Sequence, residues 1–297
     1  FVTVPAGFLK TIDHPGFNWC FHTEPSEATK KRKILFPRGR VLGGSSSING
    51  HLYVRGQAAD YNSWAQVGNL GWSYEDVLPY FRKLEDRPNG DPDTRGSGGL
   101  LHISDVEERH PLCEAFIDGV VSLGIPPNPD YNGRRQEGVA YYQRTIKKGS
   151  RHSAATAFLR PAMRRSNLKI MTNTMVRRMS FKDGRCTGVH FQRHGSNHYV
   201  HARNSVILSA GAIGSPHLLQ ISGIGPGKLL QSLEIPTVHE LPGVGENLCD
   251  HYAVRTSYRV KRRMTLNDRA HGLRLGWETV KWATTGRGLL AFSPAHV

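Results

Sequence analysis

The segment from residue 39 to residue 56 constrains the fold of this chain more than any other. In it, two adjacent glycines, Gly43 and Gly44, come directly before three serines at positions 45–47. Glycines let a backbone adopt positive φ and approach a bulky ligand closely. The hydroxyl and amide groups of such a turn can bind a phosphate or the polar edge of a ring. Apolar neighbours such as Ile48 argue against a flexible linker, so the segment predicts a loop that lies against a flat, partly anionic cofactor.

A second segment, residues 206–225, has the pattern of a strand that leads through a small-residue turn into a helix. Residues 206–208 form a short apolar run typical of a buried strand. Ser215 and Pro216 then have the residue types of an N-cap and a first helical position. A strand that delivers such a turn to a helix N-terminus is a common cradle for a phosphate or a ring. An ordinary strand–turn–helix of an α/β core is the alternative explanation.

Together, the two segments resemble the two signature motifs of the GMC family, the flavin-dependent glucose-methanol-choline oxidoreductases. The second motif matches along residues 211–225. The first motif matches at Gly39, Arg40, Leu42, Gly43, Gly44, Ser45, Ser46, Ile48, Asn49, Tyr53, Gly56 and Asn62. The run Tyr53–Gly56, with Asp60 and Tyr61, is more similar to choline-dehydrogenase-like members than to sugar oxidases. The resemblance implies FAD-dependent oxidation of an alcohol by hydride transfer to the flavin.

The fold class that the resemblance implies is α/β, with mixed α+β features. Part of an FAD-binding, Rossmann-like domain would be interleaved along the chain with part of a substrate-binding domain. Residues 1–59 and 151–255 would belong to the FAD-binding domain. Residues 60–150 would belong to the substrate domain, and residues 256–297 would begin a C-terminal substrate domain.

The same resemblance implies which residues contact FAD. Along the pyrophosphate and the isoalloxazine it places Val41, Gly43, Gly44, Ser45, Asn49, Gly50, His51 and Leu52. Val176 matches a position where a strand backbone meets the adenine, although an ordinary core position in a strand explains it equally well. Ala210 and Gly211 would lie near the adenosine half. Some members tether the flavin through a His directly before the motif's Asn. Because Ile48 holds that position here, we expect non-covalent FAD.

Two features of such an enzyme have no match in these 297 residues. No glycines have the G-x-G-x-x-G spacing of a dinucleotide fingerprint, since Lys228 and Leu248 stand where the third glycine belongs. No segment resembles the family's motif with the catalytic His, so we assign no catalytic residue and do not take His51 or His251 as the base. We expect a central fragment of a longer GMC protein that is inactive alone. A truncated, non-catalytic remnant that acts as a binding or scaffold protein is the alternative hypothesis.

Local patterns predict several helices and strands. A capping box over Ser73–Asp76 precedes apolar residues at helical spacing up to Leu84. A second helix follows His110–Pro111 and ends at Gly124. A β-rich region comes later, with turn residues at Asp183–Gly184 and at positions 195–197. Its predicted strands are 168–171, 175–181, 188–192, 199–202 and 205–209.

Charge and cysteine patterns restrict the partners. Lys and Arg number 39 against 24 Asp and Glu, but they are scattered, and no zinc-finger or ribonucleoprotein motif accompanies them. We therefore expect no nucleic-acid partner, and a basic nucleic-acid-binding domain is only a third hypothesis. The four cysteines are isolated, so we expect no metal site and no disulfide framework.

The expected partners are small molecules. The resemblance implies an alcohol substrate and an electron acceptor that the sequence does not identify, whether a quinone, oxygen or another compound. No run approaches the roughly eighteen apolar residues that a membrane span needs, so we expect no transmembrane segment. The expected location is the cytoplasm or the periphery of a membrane.

Overall fold

The computed structural model describes almost the whole chain as two compact units. The described residues are 1–251, 253–254, 256–261 and 265–297. The first unit comprises residues 1–168 and 259–297, and the second comprises residues 169–258. The predicted domain boundaries at residues 59/60, 150/151 and 255/256 stay a prediction.

Helices and strands both occur along the described chain, and the predicted α/β class is confirmed. The helices are α1 (Phe8–Thr11), α2 (Ala58–Gln66), α3 (Tyr74–Leu84), α4 (Pro111–Ser122), α5 (Arg160–Ala162), α6 (Gly211–Gln220), α7 (Gly227–Ser232) and α8 (Gly272–Thr285). The strands are β1 (Phe21–His22), β2 (Leu35–Phe36), β3 (Glu85–Asp86), β4 (Leu101–His102), β5 (Ile146–Lys147), β6 (Ser150–Arg151), β7 (Thr174–Lys182), β8 (Arg185–Arg193), β9 (Ser196–His201), β10 (Ile224–Gly225) and β11 (His239–Glu240).

Two helices of the first unit have the capping residues that the sequence predicts. Ser73 Oγ accepts a hydrogen bond from Asp76 N at 3.3 Å, and Asp76 Oδ2 accepts one from Ser73 N at 3.1 Å, which forms the predicted capping box of α3. α4 begins with Pro111, whose missing N–H costs nothing at a first helical position. It is followed by Gly124 with a φ of +90°. Both predicted helices are confirmed.

A buried ionic network lies at the start of β3. The carboxylate of Glu85, which is fully buried, accepts hydrogen bonds from Arg55 Nη2 and from Arg95 Nε, each at 2.7 Å. Arg95 also pairs with Asp130 and donates to Gln143 Oε1 at 3.0 Å. These side chains come from five separate stretches of the first 143 residues, so the network ties those stretches together.

The second unit contains an antiparallel sheet in which β7, β8 and β9 pair in sequence order. Both residues of the β7–β8 turn, Asp183–Gly184, have positive φ (+49° and +73°), as a type I′ hairpin requires. The predicted turn is confirmed. The β8–β9 turn lies at His194–Gly195 (φ +50° and +81°), one residue earlier than predicted. Ser222 Oγ accepts from Met179 N at 2.8 Å and so links β7 to the segment after α6.

Three local predictions are wrong. Segments 168–171 and 205–209 are not strands, and Ile207 is 86% exposed rather than buried. A strand needs a hydrogen-bonded neighbour, and within the described ranges no segment pairs with 205–209. α6 begins at Gly211 rather than at Ser215, because Ser215 Oγ accepts from the N–H of Ala210, at the entry of the helix, at 3.1 Å.

Among the described residues, no helix is both long and apolar enough to cross a membrane. The four cysteines are free thiols. The described side chains include no group of three or more His, Cys, Asp or Glu that could hold a metal ion.

Candidate cofactor site

Residues 39–52 form a tight surface loop of the first unit, called here the glycine–serine loop. Gly43 has a φ of +89° and Gly44 a φ of +56°, in the left-handed region that favours glycine. One 3₁₀ turn, Gly44–Ser47, follows. A Cβ at Gly39 would overlap the backbone carbonyl group of Gly44. The two backbone stretches therefore touch, which only glycine permits at this position.

The three serines of the loop have different surroundings. Ser46 Oγ donates to a carbonyl oxygen of the loop at 2.6 Å and accepts from Ala154 N at 2.9 Å. Ser47 Oγ donates to another loop carbonyl at 2.7 Å and is buried. Ser45 is exposed, and its Oγ accepts from Gly39 N at 3.1 Å. All three hydroxyls thus form hydrogen bonds that stabilise the loop, and only that of Ser45 belongs to an exposed residue.

Most of the predicted cofactor contacts of this loop are accessible to solvent. Those that are exposed or half-buried are Val41, Gly43, Gly44, Ser45, Asn49, Gly50 and Leu52. A Cβ built on Gly44 would meet no atom of the described chain within 4 Å. We call the side formed by Gly44, Ser45 and Asn49 the open face. On this face the Ser45 hydroxyl accepts from Gly39 N, and the Asn49 Oδ1 accepts from Arg151 Nη1 and from His51 N.

A buried arginine underlies this loop. Arg151 in β6 donates through Nη1 to Ser46 O at 3.1 Å and to Asn49 O and Oδ1 at 2.8 and 2.9 Å. Its side chain has no acidic partner among the described residues. Burial lowers the pKa of Arg151 to about 10, so it is still a cation at neutral pH. The sequence reasoning missed this residue, since nothing local links it to a loop about a hundred positions earlier.

His51 is the one predicted contact in the loop whose side chain is fully buried. Its φ is +64°, and its carbonyl accepts from Thr145 N at 2.8 Å. The imidazole lies edge-on to Phe8, with 6.4 Å between ring centroids, and neither ring nitrogen has a hydrogen-bond partner in the described part of the chain. Burial, and then the charge of Arg151, lower the pKa of His51 to about 3. The ring is therefore neutral and lies beneath the loop.

Replacing His51 with leucine should flatten the dependence of stability on pH. In the unfolded chain the imidazole takes a proton below pH 6.5, whereas in the folded chain it does so only near pH 3. The unfolded state therefore binds more protons in this window, and the wild type loses up to about 1.4 kcal/mol of unfolding free energy per pH unit as the pH falls. His51→Leu removes this loss, and urea unfolding at a series of pH values measures it.

Two other histidines, the buried His152 and the half-buried His296, also have pKa values that desolvation lowers. They are present in both proteins, so their contributions cancel in the difference. Parallel stability curves for wild type and His51→Leu between pH 6.5 and pH 4 would contradict the assignment of a neutral, buried His51.

The remaining predicted contacts lie in the second unit. Val176 is half-buried in β7 opposite Phe191 of β8. Ala210 and Gly211 form the entry of α6, both exposed, with a φ of +83° at Gly211. The structure thus collects eight predicted contacts in one loop of the first unit and places the other three in the second. Near the end of the second unit, Asp250 and His251 are both exposed, with His251 Nδ1 3.9 Å from Asp250 Oδ1.

Comparison with known proteins identifies the same family from a family model and from curated relatives. The family model described as GMC oxidoreductase matches residues 7–253. The chain is 42% identical to mitochondrial choline dehydrogenase of Homo sapiens over 98% of its own length and 49% of that protein. It is 41% identical to oxygen-dependent choline dehydrogenase of Photobacterium profundum over 97% of its length and 51% of that protein. The chain therefore spans about half the length of these curated relatives.

The fold of this chain is also similar to that of a solved flavoenzyme structure. An FAD-dependent oxidoreductase from Chaetomium thermophilum superposes with a TM-score of 0.84 at 26% identity. The match covers 99% of this chain and 54% of that one.

Proposed function

The chain belongs to the GMC oxidoreductase family, and from this we propose that it supplies part of an FAD site in an enzyme that oxidises a small alcohol. FAD, when bound, provides the acceptor for the hydride that leaves the alcohol carbon. The observation that carries the proposal is the open face. Gly44 has positive φ and free space above it, and the exposed Ser45 and Asn49 lie beside it. A flat ring system or a pyrophosphate can approach the backbone there, because a Cβ built on Gly44 meets no atom of the described chain within 4 Å.

The charge beneath the loop supports an anionic cofactor. Arg151 carries a positive charge without an acidic partner among the described residues, and its Nη2 has no hydrogen-bond partner there. The backbone of Arg144 forms an isolated antiparallel β-bridge with Leu52 of the loop. The Arg144 side chain is also buried, and burial lowers its pKa. The buried charge of Arg151, which has no acidic partner among the described residues, favours negative charge nearby. This positive charge would stabilise either the pyrophosphate of FAD or negative charge on its ring system.

We propose that the cofactor is held without a covalent bond. Ile48, directly before Asn49, is buried and aliphatic, so it offers no atom for a flavin linkage. The nearby His51 lies beneath the loop with its ring fully buried. We assign His51 no proton-transfer role, because a ring with a pKa of about 3 is a poor base at neutral pH.

The proposed substrate is a small alcohol of the choline type. Both named curated relatives are choline dehydrogenases. We leave the electron acceptor as a quinone, oxygen or another oxidant. The interleaved arrangement of FAD-binding and substrate-binding segments is part of the same proposal, with Val176, Ala210 and Gly211 on the adenosine side.

The test is reduction of the bound flavin by substrate. Protein expressed from the complete reading frame that encodes these residues should be yellow, and anaerobic choline should bleach it. Tetramethylammonium, which has the same cationic group but no alcohol carbon, should leave the colour unchanged. A colourless protein, or a flavin that no alcohol bleaches, would overturn the proposal.

A further inference from the structure

A pocket of about 430 Å³ lies on the first unit between the end of α3 and the loop that follows β3, well separated in sequence from the glycine–serine loop. Four basic side chains line it, Arg82, Lys83, Arg87 and Arg95. Among the described residues that line this pocket, none is acidic. Its remaining walls are formed by Pro79, Pro88, Pro92, Gly90, Gly96 and Ser97. The three prolines restrict the backbone of this wall around a concentration of positive charge.

Two of the four cations are built into the wall. The side chain of Arg95 is fully buried, and it is held by Glu85 and Asp130. The side chain of Arg87 is 9% exposed and donates to Asp105 Oδ1 at 3.0 Å. In the described part of the chain, Arg95 Nη2 and Arg87 Nε have no hydrogen-bond partner. Unpaired buried donors are rare, and a bound ion or water is a usual explanation.

The other two cations are free at the rim. Arg82 and Lys83 are exposed and form no ion pair with any described residue. The acid near this rim is Asp91, whose pKa is lowered by the Asp93 amide, by Arg134 and by the charge of Arg82. Arg134 Nε holds that carboxylate at 3.0 Å. Among the described residues, Arg82 and Lys83 therefore have no carboxylate within salt-bridge distance, since Asp91 is held by Arg134.

From this geometry we propose that the pocket is a binding site for a phosphate group, either free phosphate or the phosphoryl end of a small metabolite. Arginine guanidinium groups match phosphate oxygens in pairs of hydrogen bonds, and lysine adds a point charge. A phosphate in the pocket would accept from the rim cations Arg82 and Lys83 and from the unpartnered N–H groups of the buried Arg87 and Arg95. The site is independent of the flavin and of the proposed alcohol oxidation.

The test compares two charge-matched double variants with the wild type. Arg82→Gln with Lys83→Gln removes the rim cations, whereas Arg164→Gln with Arg165→Gln removes two exposed neighbouring cations elsewhere on the first unit. Inorganic phosphate is titrated against chloride at constant ionic strength, by calorimetry and by thermal melting. Circular dichroism verifies that each variant is folded.

Saturable binding of phosphate is expected for the wild type and for the Arg164/Arg165 variant, with a dissociation constant at least about tenfold higher for the Arg82/Lys83 variant. The same titration of the wild type with glycerol phosphate distinguishes the two sources of the phosphate group. A lower dissociation constant than for inorganic phosphate identifies a phosphomonoester as the ligand, and an equal dissociation constant identifies free phosphate. Absence of saturable binding, or the same dissociation constant in all three proteins, would overturn the proposal.

Discussion

Replacing Glu85 with glutamine should lower the free energy of unfolding by about 3–5 kcal/mol, as expected when one member of a buried ion pair is removed. The carboxylate of Glu85 lies between Arg55 and Arg95 and also accepts from Gly96 N at 3.1 Å. Glutamine keeps the shape but leaves two buried guanidinium groups without their shared negative charge. Because a whole domain is stable by only about 5–15 kcal/mol, a loss of this size is readily measured by urea unfolding.

The matched control is Glu137→Gln, the same chemical change in an exposed pair. Glu137 lies 3.6 Å from Arg135, and its side chain is 78% exposed, so this change should cost no more than about 1 kcal/mol. Equal unfolding free energies for the two variants would show that the Glu85 network contributes no more than a surface ion pair.

The stability that Glu85 contributes through this network should depend on pH. Burial alone would raise the pKa of Glu85, but the hydrogen bond from Arg95 and the charges of both arginines outweigh burial and lower it. Stability from this group is therefore complete above pH 4.5 and is lost as the pH falls further.

Replacing Gly44 with leucine should weaken FAD binding by more than about tenfold. The new side chain would extend from the open face into the space proposed for the cofactor. Positive φ at residue 44 would also strain the variant by roughly 1–2 kcal/mol. Titration of FAD into cofactor-depleted protein, followed by the quenching of flavin fluorescence, measures the affinity.

Gly272→Leu is the control that distinguishes obstruction of the cofactor by the new side chain from the backbone strain of positive φ. Gly272 has the same φ of +56°, is exposed, and a Cβ there would meet no atom of the described chain within 4 Å. This variant should therefore carry a similar backbone strain and keep its affinity for FAD. If Gly44→Leu binds FAD as the wild type does, the glycine–serine loop is not the cofactor surface.

The sequence predicted best what depends on a few consecutive residues. The capping box at Ser73, the hairpin at Asp183–Gly184 and the positive φ of Gly43 and Gly44 all follow from local sterics and hydrogen bonding. The loop could therefore be recognised as a candidate site before any coordinates were known.

Non-local pairing explains what the sequence missed. The hydrogen bonds of Arg151 to Asn49 join positions about a hundred residues apart, and no spacing rule connects them. The apolar run at residues 206–208 looked like a strand, but strand formation depends on a neighbouring strand rather than on intrinsic preference. In the same way, a histidine in a polar loop gave no sign that its ring is buried against Phe8, because burial is a property of the packed unit.

The most direct test of the account is the cofactor content of the wild type and Gly44→Leu, each expressed from the complete reading frame and denatured after purification. We expect denaturation to release free FAD from the wild type, with none left on the precipitated chain, and to release little from Gly44→Leu. Flavin that stays attached to the denatured chain would contradict non-covalent binding. Equal FAD from both proteins, or none from the wild type, would contradict the assignment of the glycine–serine loop as the flavin surface.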